Sequence, residues 1–263
     1  MADVAHDPAP SKPLVIAHRG ASEVHPEHTV RAYEQAITDG ADGVECDVRL
    51  SADDELVCIH DRTLDRTSDG KGVVSHLSLE QLRAFDWGLW RGEEHSATVL
   101  TLRELIELVL AAPRPVQLVI ETKHPTRHAA QVERQLAKIL DEYQLLDPQD
   151  ARVKVRLMSF SSLAVARFAK LAPELERVQL IESVQLPRFR ASLPANVQIA
   201  GPGIGILRRD PKFVQRHHDQ GNRVHVWTVD SEQDVQLCLD LGVDAIITNR
   251  PAAVRQLVDA ASG

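Results

Sequence analysis

Three acidic residues and two histidines fall at or beside the ends of strand-forming runs, a combination suited to phosphate chemistry. His18 closes the run LVIAH (14–18) and is followed by Arg19 and Gly20. Glu45 and Asp47 alternate within GVECDV (43–48), so both project from one face, because strand side chains repeat every two residues. Glu121 ends QLVIE (117–121), with Lys123 two residues on. Three carboxylates converging in one pocket repel one another unless a positive charge lies between them. A hard divalent cation, Mg²⁺ or Ca²⁺, suits oxygen ligands of this kind. Solvated strand-end charges, or ion pairs with Arg19 and Arg49, are the bland alternative for any one of them. His18 and His60, placed either side of a bound phosphodiester, would serve as general acid and general base, since imidazole titrates near neutrality. Arg19 can grip a phosphate through two N–H groups, while Lys123 adds a point charge. Among the other histidines, His6, His76, His95, His124, His128, His217, His218 and His225 read as surface or packing residues. Trp87 and Trp90 read as the apolar anchor of a loop segment, and Trp227 fits either a core position or the wall of a glycerol pocket.

The elements that must position these groups alternate. Beta-type runs at 14–18, 43–48, 117–121, 155–160, 178–182, 197–201, 224–229 and 245–248 are separated by helical periodicity at 27–39, 102–111, 129–143, 162–171, 211–220, 232–241 and 251–260. The connection 183–196 is a further helix candidate. Such alternation means parallel strands with helical crossovers. Eight units in about 250 residues is the size of an α/β (β/α)8 TIM barrel, whose chemistry sits at the C-terminal strand ends. A doubly wound open sheet is the rival. It would have fewer strands, and its Gly-rich first turn is missing here. After the second strand comes DVRLSADDELVCIHD, with no room for a helix, which predicts a β-hairpin. A turn centred on Ala52–Asp53 would set Glu45 across from His60. The long stretch 62–100 predicts a lid or small insertion. Residues 13–263 thus read as one barrel domain carrying that insertion, after a flexible tail at 1–12.

Composition bounds the partners. The formal net charge of −8 over 263 residues argues against nucleic acid as the main partner. Three irregularly spaced cysteines do not make a disulfide framework. The start MADVAHDPAPSKP lacks the apolar run of a secretory signal, and no apolar stretch reaches the ~18 residues of a membrane span. A cytoplasmic protein acting on a small molecule is the simplest expectation. Oligomeric state is not legible.

The segments HRGAS (18–22), PEHT (26–29), GVECDVRL (43–50), HD (60–61), ETK (121–123), SF (159–160), VWTVD (226–230) and TNRP (248–251) together resemble the glycerophosphodiester phosphodiesterase family, of the phospholipase C-like superfamily. They run in the family's order over nearly the whole chain. The resemblance implies a (β/α)8 barrel with an insertion after HD, and metal-dependent hydrolysis of glycerophosphodiesters to sn-glycerol 3-phosphate and an alcohol. By position it implies Glu45, Asp47 and Glu121 as metal ligands, His18 and His60 as the catalytic pair, and Arg19 and Lys123 as phosphate contacts. Glu27 matches the glutamate of the family's PENT loop, which braces the site, and Phe160 and Trp227 join the substrate-binding set. Two departures stand out. His28 replaces the loop's usual Asn, which bears on that loop's hydrogen bonding. Leu100-Thr101-Leu102 replaces a usual Pro-Thr-Leu, which bears on a helix entry.

Other functions compete. A lysophospholipase D-type activity needs an apolar entrance, for which 62–100 is the only candidate. A non-catalytic phosphate-ester binder would be expected to have lost a ligand or a histidine. A Schiff-base enzyme built on Lys123 conflicts with three carboxylates that keep that amine protonated. Attack on phosphorus by water or by the neighbouring glycerol hydroxyl both remain open at this level, as does which histidine is the acid.

Overall fold

The computed structural model describes residues 12–124, 130–147, 153–182 and 192–261. Eight parallel strands close on themselves. They are β1 (Leu14–His18), β2 (Gly43–Leu50), β4 (Gln117–Thr122), β5 (Val155–Ser159), β6 (Glu176–Ile181), β7 (Ile199–Pro202), β8 (Arg223–Val226) and β9 (Ala245–Thr248). β1 pairs with both β2 and β9, which shuts the barrel, so the open-sheet alternative is excluded. β3 (Leu56–Cys58) runs antiparallel to β2.

Strand alternation sorts the side chains. Ile16, Val119, Met158, Val178, Ile199 and Ile247 fill the barrel interior. Val44, Cys46, Leu118, Ile120 and their like face outward into a core shared with the helices. Those helices are α1 (Val30–Thr38), α3 (Leu102–Leu110), α4 (Gln131–Glu142), α5 (Ser162–Leu171), α6 (Ile204–Arg209), α7 (Lys212–His218), α8 (Glu232–Leu241) and α9 (Pro251–Ala260). Their starts follow cap chemistry. Thr29, Ser161 and Ser231 each accept a backbone N–H in the first turn, and Thr101 forms a capping box with Glu104. The Thr101 box shows that Leu100 in place of proline leaves the entry to α3 intact.

The hairpin register differs from expectation by one residue. Val48 faces Cys58 and Leu50 faces Leu56, so Asp61, not His60, is in line with Glu45. The cause is a three-residue turn, Ala52-Asp53-Asp54, closed by Ser51 N–H to the Glu55 carbonyl at 2.9 Å, with Asp54 at φ +66°. A left-handed third residue is the usual way to build such a loop. Two further differences concern helices. α6 arises in the Gly/Pro-rich GPGIGILRR, where periodicity gave no signal, and α1 starts at Val30 rather than 27. The helix candidate at 183–196 and the tail at 1–12 lie largely outside the described residues.

The stretch after the hairpin carries α2 (Leu79–Arg83) and a small core of its own. Val57, Ile59, Leu64, Val74, Leu82, Trp87 and Val99 pack together. Trp87 is buried there as expected, but Trp90 is 40% exposed, outside that core, and its indole N–H donates to the Trp87 carbonyl at 3.2 Å. No helix among the described residues is long and apolar enough to cross a membrane.

Candidate active site

The polar strand ends meet at one mouth of the barrel. His18, Arg19, Glu45, His60, Glu121, Lys123, Phe160 and Trp227 line a common cavity of about 260 Å³. Asp47 lies beneath it, fully buried, and registers beside Glu121 across β2 and β4. Glu27 does not line the cavity. It sits behind Arg19, bonded to that guanidinium at 3.0 Å and to both terminal nitrogens of Arg66 at 2.7 and 2.8 Å.

Ligand oxygens of Glu45, Asp47 and Glu121 all lie within 4.8 Å of one another. Glu45 Oε2 accepts from the Arg19 backbone N–H at 3.0 Å, while Glu45 Oε1 and Asp47 Oδ1 are buried without a hydrogen-bond partner. Asp47 Oδ2 pairs with Arg19 Nε at 2.8 Å. The Lys123 ammonium stands 2.7 Å from Glu121 Oε1 and 3.3 Å from Asp47 Oδ1. Titration behaviour records the crowding. Burial and the neighbouring Asp47 push Glu121 up to about 8, and burial with Asp47 drives Glu45 well above the carboxylate range. Burial opposes ionisation of Asp47 as well, yet Arg19 and Lys123 outweigh it and hold this carboxyl well below its ordinary value. Three buried carboxylates, with Glu45 Oε1 free of any hydrogen bond or ion pair among the described residues, make a donor set that suits a hard divalent cation.

The two histidines are each fixed through Nδ1. His18 Nδ1–H donates to Asn249 Oδ1 at 2.7 Å, and Asn249 is itself held by Asp230, through its backbone N–H at 2.8 Å and its amide at 2.7 Å. His60 Nδ1–H donates to Asp61 Oδ1 at 2.6 Å, and Asp61 Oδ2 accepts from Arg66 Nε at 2.6 Å. The Arg49 guanidinium donates twice to the His60 carbonyl, at 2.9 and 2.7 Å. In both rings Nε2 is left for chemistry. Burial and Arg19 lower His18 to about 4, and burial lowers His60. Arg19 itself sits at φ +59°, a left-handed conformation rare outside glycine. Gly20, at φ +81°, follows it where a Cβ would strike the Ala32 backbone at 2.6 Å.

Several members of this arrangement escaped the sequence reading. Asn249 and Asp61 sit inside quoted motifs, and a carboxylate next to His60 was an available signal. Asp230 likewise closes the quoted VWTVD, whereas Arg66 had no signal. His124, expected as a surface or packing residue, lines the cavity, as does Glu182. Phe160 and Trp227 meet edge-on, with ring centroids 5.4 Å apart, on the apolar side.

Comparison with known proteins now decides the family. The model of the glycerophosphoryl diester phosphodiesterase family matches residues 18–253. The chain belongs to this family. A Mycobacterium tuberculosis protein named "Probable glycerophosphodiester phosphodiesterase 1" is 42% identical over 250 residues, covering 92% of this chain and 91% of the relative. The Caldanaerobacter subterraneus subsp. tengcongensis glycerophosphodiester phosphodiesterase is 33% identical, with 94% and 98% covered. An Oleispira antarctica phosphodiesterase, solved with its product sn-glycerol-3-phosphate, superposes with a TM-score of 0.81 at 26% identity, over 94% of this chain and 97% of that one. The motif resemblance and the barrel both hold, and the chain is a phosphoric diester hydrolase of this family.

Proposed function

We propose that this enzyme hydrolyses glycerophosphodiesters to sn-glycerol 3-phosphate and a small alcohol, using one divalent cation held by Glu45, Asp47 and Glu121. The observation that carries the reading is that buried cluster, two of whose carboxylates line a cavity flanked by two imidazoles. When bound, Mg²⁺ or Ca²⁺ supplies Lewis-acid stabilisation of charge on the phosphoryl oxygens. Arg19 and Lys123 add fixed positive charge to hold the phosphate. His18 and His60 divide the proton work. The Nδ1–H of His18 is committed to a neutral amide, so its Nε2 lone pair faces the cavity and accepts the nucleophile's proton. His60 is backed by the Asp61 carboxylate, which partly offsets the burial that lowers its pKa and steadies the protonated ring, so His60 is assigned the donation to the leaving alkoxide. Phe160 and Trp227 offer an apolar wall to the glycerol carbons. A cavity of about 260 Å³ suits glycerol 3-phosphate with a small head group rather than an acyl chain. In this reading 13–263 forms one unit with 62–100 inserted in it, consistent with the packing of that segment around Trp87.

The test is release of sn-glycerol 3-phosphate from glycerophosphocholine, glycerophosphoethanolamine and glycerophosphoglycerol, with a lysophospholipid alongside. Chelator should abolish release, and added Mg²⁺ or Ca²⁺ should restore it. Undiminished turnover after exhaustive chelation would overturn the cation. Faster turnover of the lysophospholipid would overturn the substrate.

A further inference from the structure

One buried side chain outside the cavity grips the acidic cluster from behind. His28 is 5% exposed, and its Nε2–H donates to Asp47 Oδ2 at 3.0 Å. On the far side of the ring, Nδ1 shares a 2.8 Å hydrogen bond with the hydroxyl of Tyr33, a fully buried residue of α1. That hydroxyl donates in turn to the Glu45 backbone carbonyl at 3.2 Å. A single chain of bonds therefore links the side chain of Asp47 to the main chain of Glu45. The backbone at His28 is left-handed, φ +62°, and its N–H donates to the Arg19 carbonyl at 3.1 Å. Asparagine adopts that conformation with little strain. An asparagine or glutamine amide nitrogen can take the place of one imidazole nitrogen or the other, whereas the imidazole reaches both neighbours.

We infer that His28 is a positioning residue that selects which oxygen of Asp47 is offered to the cation. Oδ2 is occupied by His28 and Arg19, so Oδ1, which faces the Lys123 ammonium at 3.3 Å, is the oxygen turned towards the cation. The inference rests on the cation reading above, and its test separates the two. Binding of Ca²⁺ and of Mg²⁺ is measured by calorimetry without substrate, on wild type, H28Q, H28N and H28A. The Gln amide nitrogen falls where Nε2 stood, so H28Q keeps the bond to Asp47. The Asn amide nitrogen falls where Nδ1 stood, so H28N keeps only the bond to Tyr33. H28N and H28A are expected to bind the ion about 10–100-fold more weakly, with H28Q close to wild type. Between H28N and H28Q thermal stability should run the other way, because Asn tolerates φ +62° better than Gln. A merely structural role predicts that affinity follows stability, and that order would overturn the inference. Equal affinity in all four proteins would overturn it as well. Failure of the wild type to take up either ion would instead remove the cation reading itself.

Discussion

At the scale of single residues, the two imidazoles carry the most testable part of the proposed mechanism. Each is locked through Nδ1, one by Asn249 and one by Asp61, and in the proposed reaction Nε2 is the nitrogen that works. Alanine at His18 or at His60 should lower turnover by ~10²–10⁴ with the fold intact. Release of glycerol 3-phosphate together with a far-ultraviolet dichroism spectrum checks this, and near-wild-type turnover would remove that histidine from the reaction. Asp61→Asn should lower turnover through the protonated state of His60, with a smaller effect on KM. The legibility of these positions was uneven for physical reasons. Glu45, Asp47 and Glu121 could be picked out because a carboxylate inside an apolar strand carries a desolvation penalty that needs an explanation. His124 could not, because its approach to the cavity depends on how the chain leaves β4, and nothing local in its sequence sets that direction.

At the scale of elements, the hairpin and the segment after it decide where His60 stands. Ile59 belongs to the small core around Trp87, and the Trp87 indole N–H donates to the Leu82 carbonyl at 2.9 Å. Trp87→Ala removes the largest member of that core and should cost about 3–5 kcal/mol locally. A satellite core of this size opens on its own, so the loss should appear as faster amide exchange confined to residues 56–99. The barrel strands should keep their protection, and turnover should fall because His60 is carried on the hairpin. Exchange that rises uniformly across β1 to β9 would show that the segment is no separate cooperative unit. Most of these elements were visible in the sequence, since strand and helix periodicities differ sharply; β1 and β9 even keep the expected ends. The hairpin register was not. Ser-Ala-Asp-Asp accommodates a two- or a three-residue turn equally well, and only the left-handed Asp54 separates them. α6 was missed because glycines break the apolar pattern that packing then restores through Ile206 and Leu207.

At the scale of the whole molecule, a charged cluster ties strand starts together at the floor of the barrel. Glu176 on β6 pairs with Arg156 at 2.7 Å and with Lys154 at 3.6 Å, and it also accepts from Arg223, so β5 with its entry and β8 converge on one carboxylate of β6. Burial opposes ionisation of Glu176, but Arg156 and Arg223 outweigh it and hold the carboxyl at about 2, against an ordinary value of 4.5. The folded value lies below the unfolded one. The contribution to stability is therefore complete above pH 4.5 and is lost as pH falls towards 2. A depression of this size corresponds to about 3 kcal/mol. Glu176→Gln cannot ionise, and it leaves the three cations without their shared carboxylate. Urea unfolding at pH 7 should show the variant less stable by about 3 kcal/mol, and the gap should narrow to less than half by about pH 3. A gap that stays constant over that range would mean that the substitution acts through packing at the floor. A gap that widens on acidification would reverse the sign of the linkage and rule out ionised Glu176 as the group that ties the strands together.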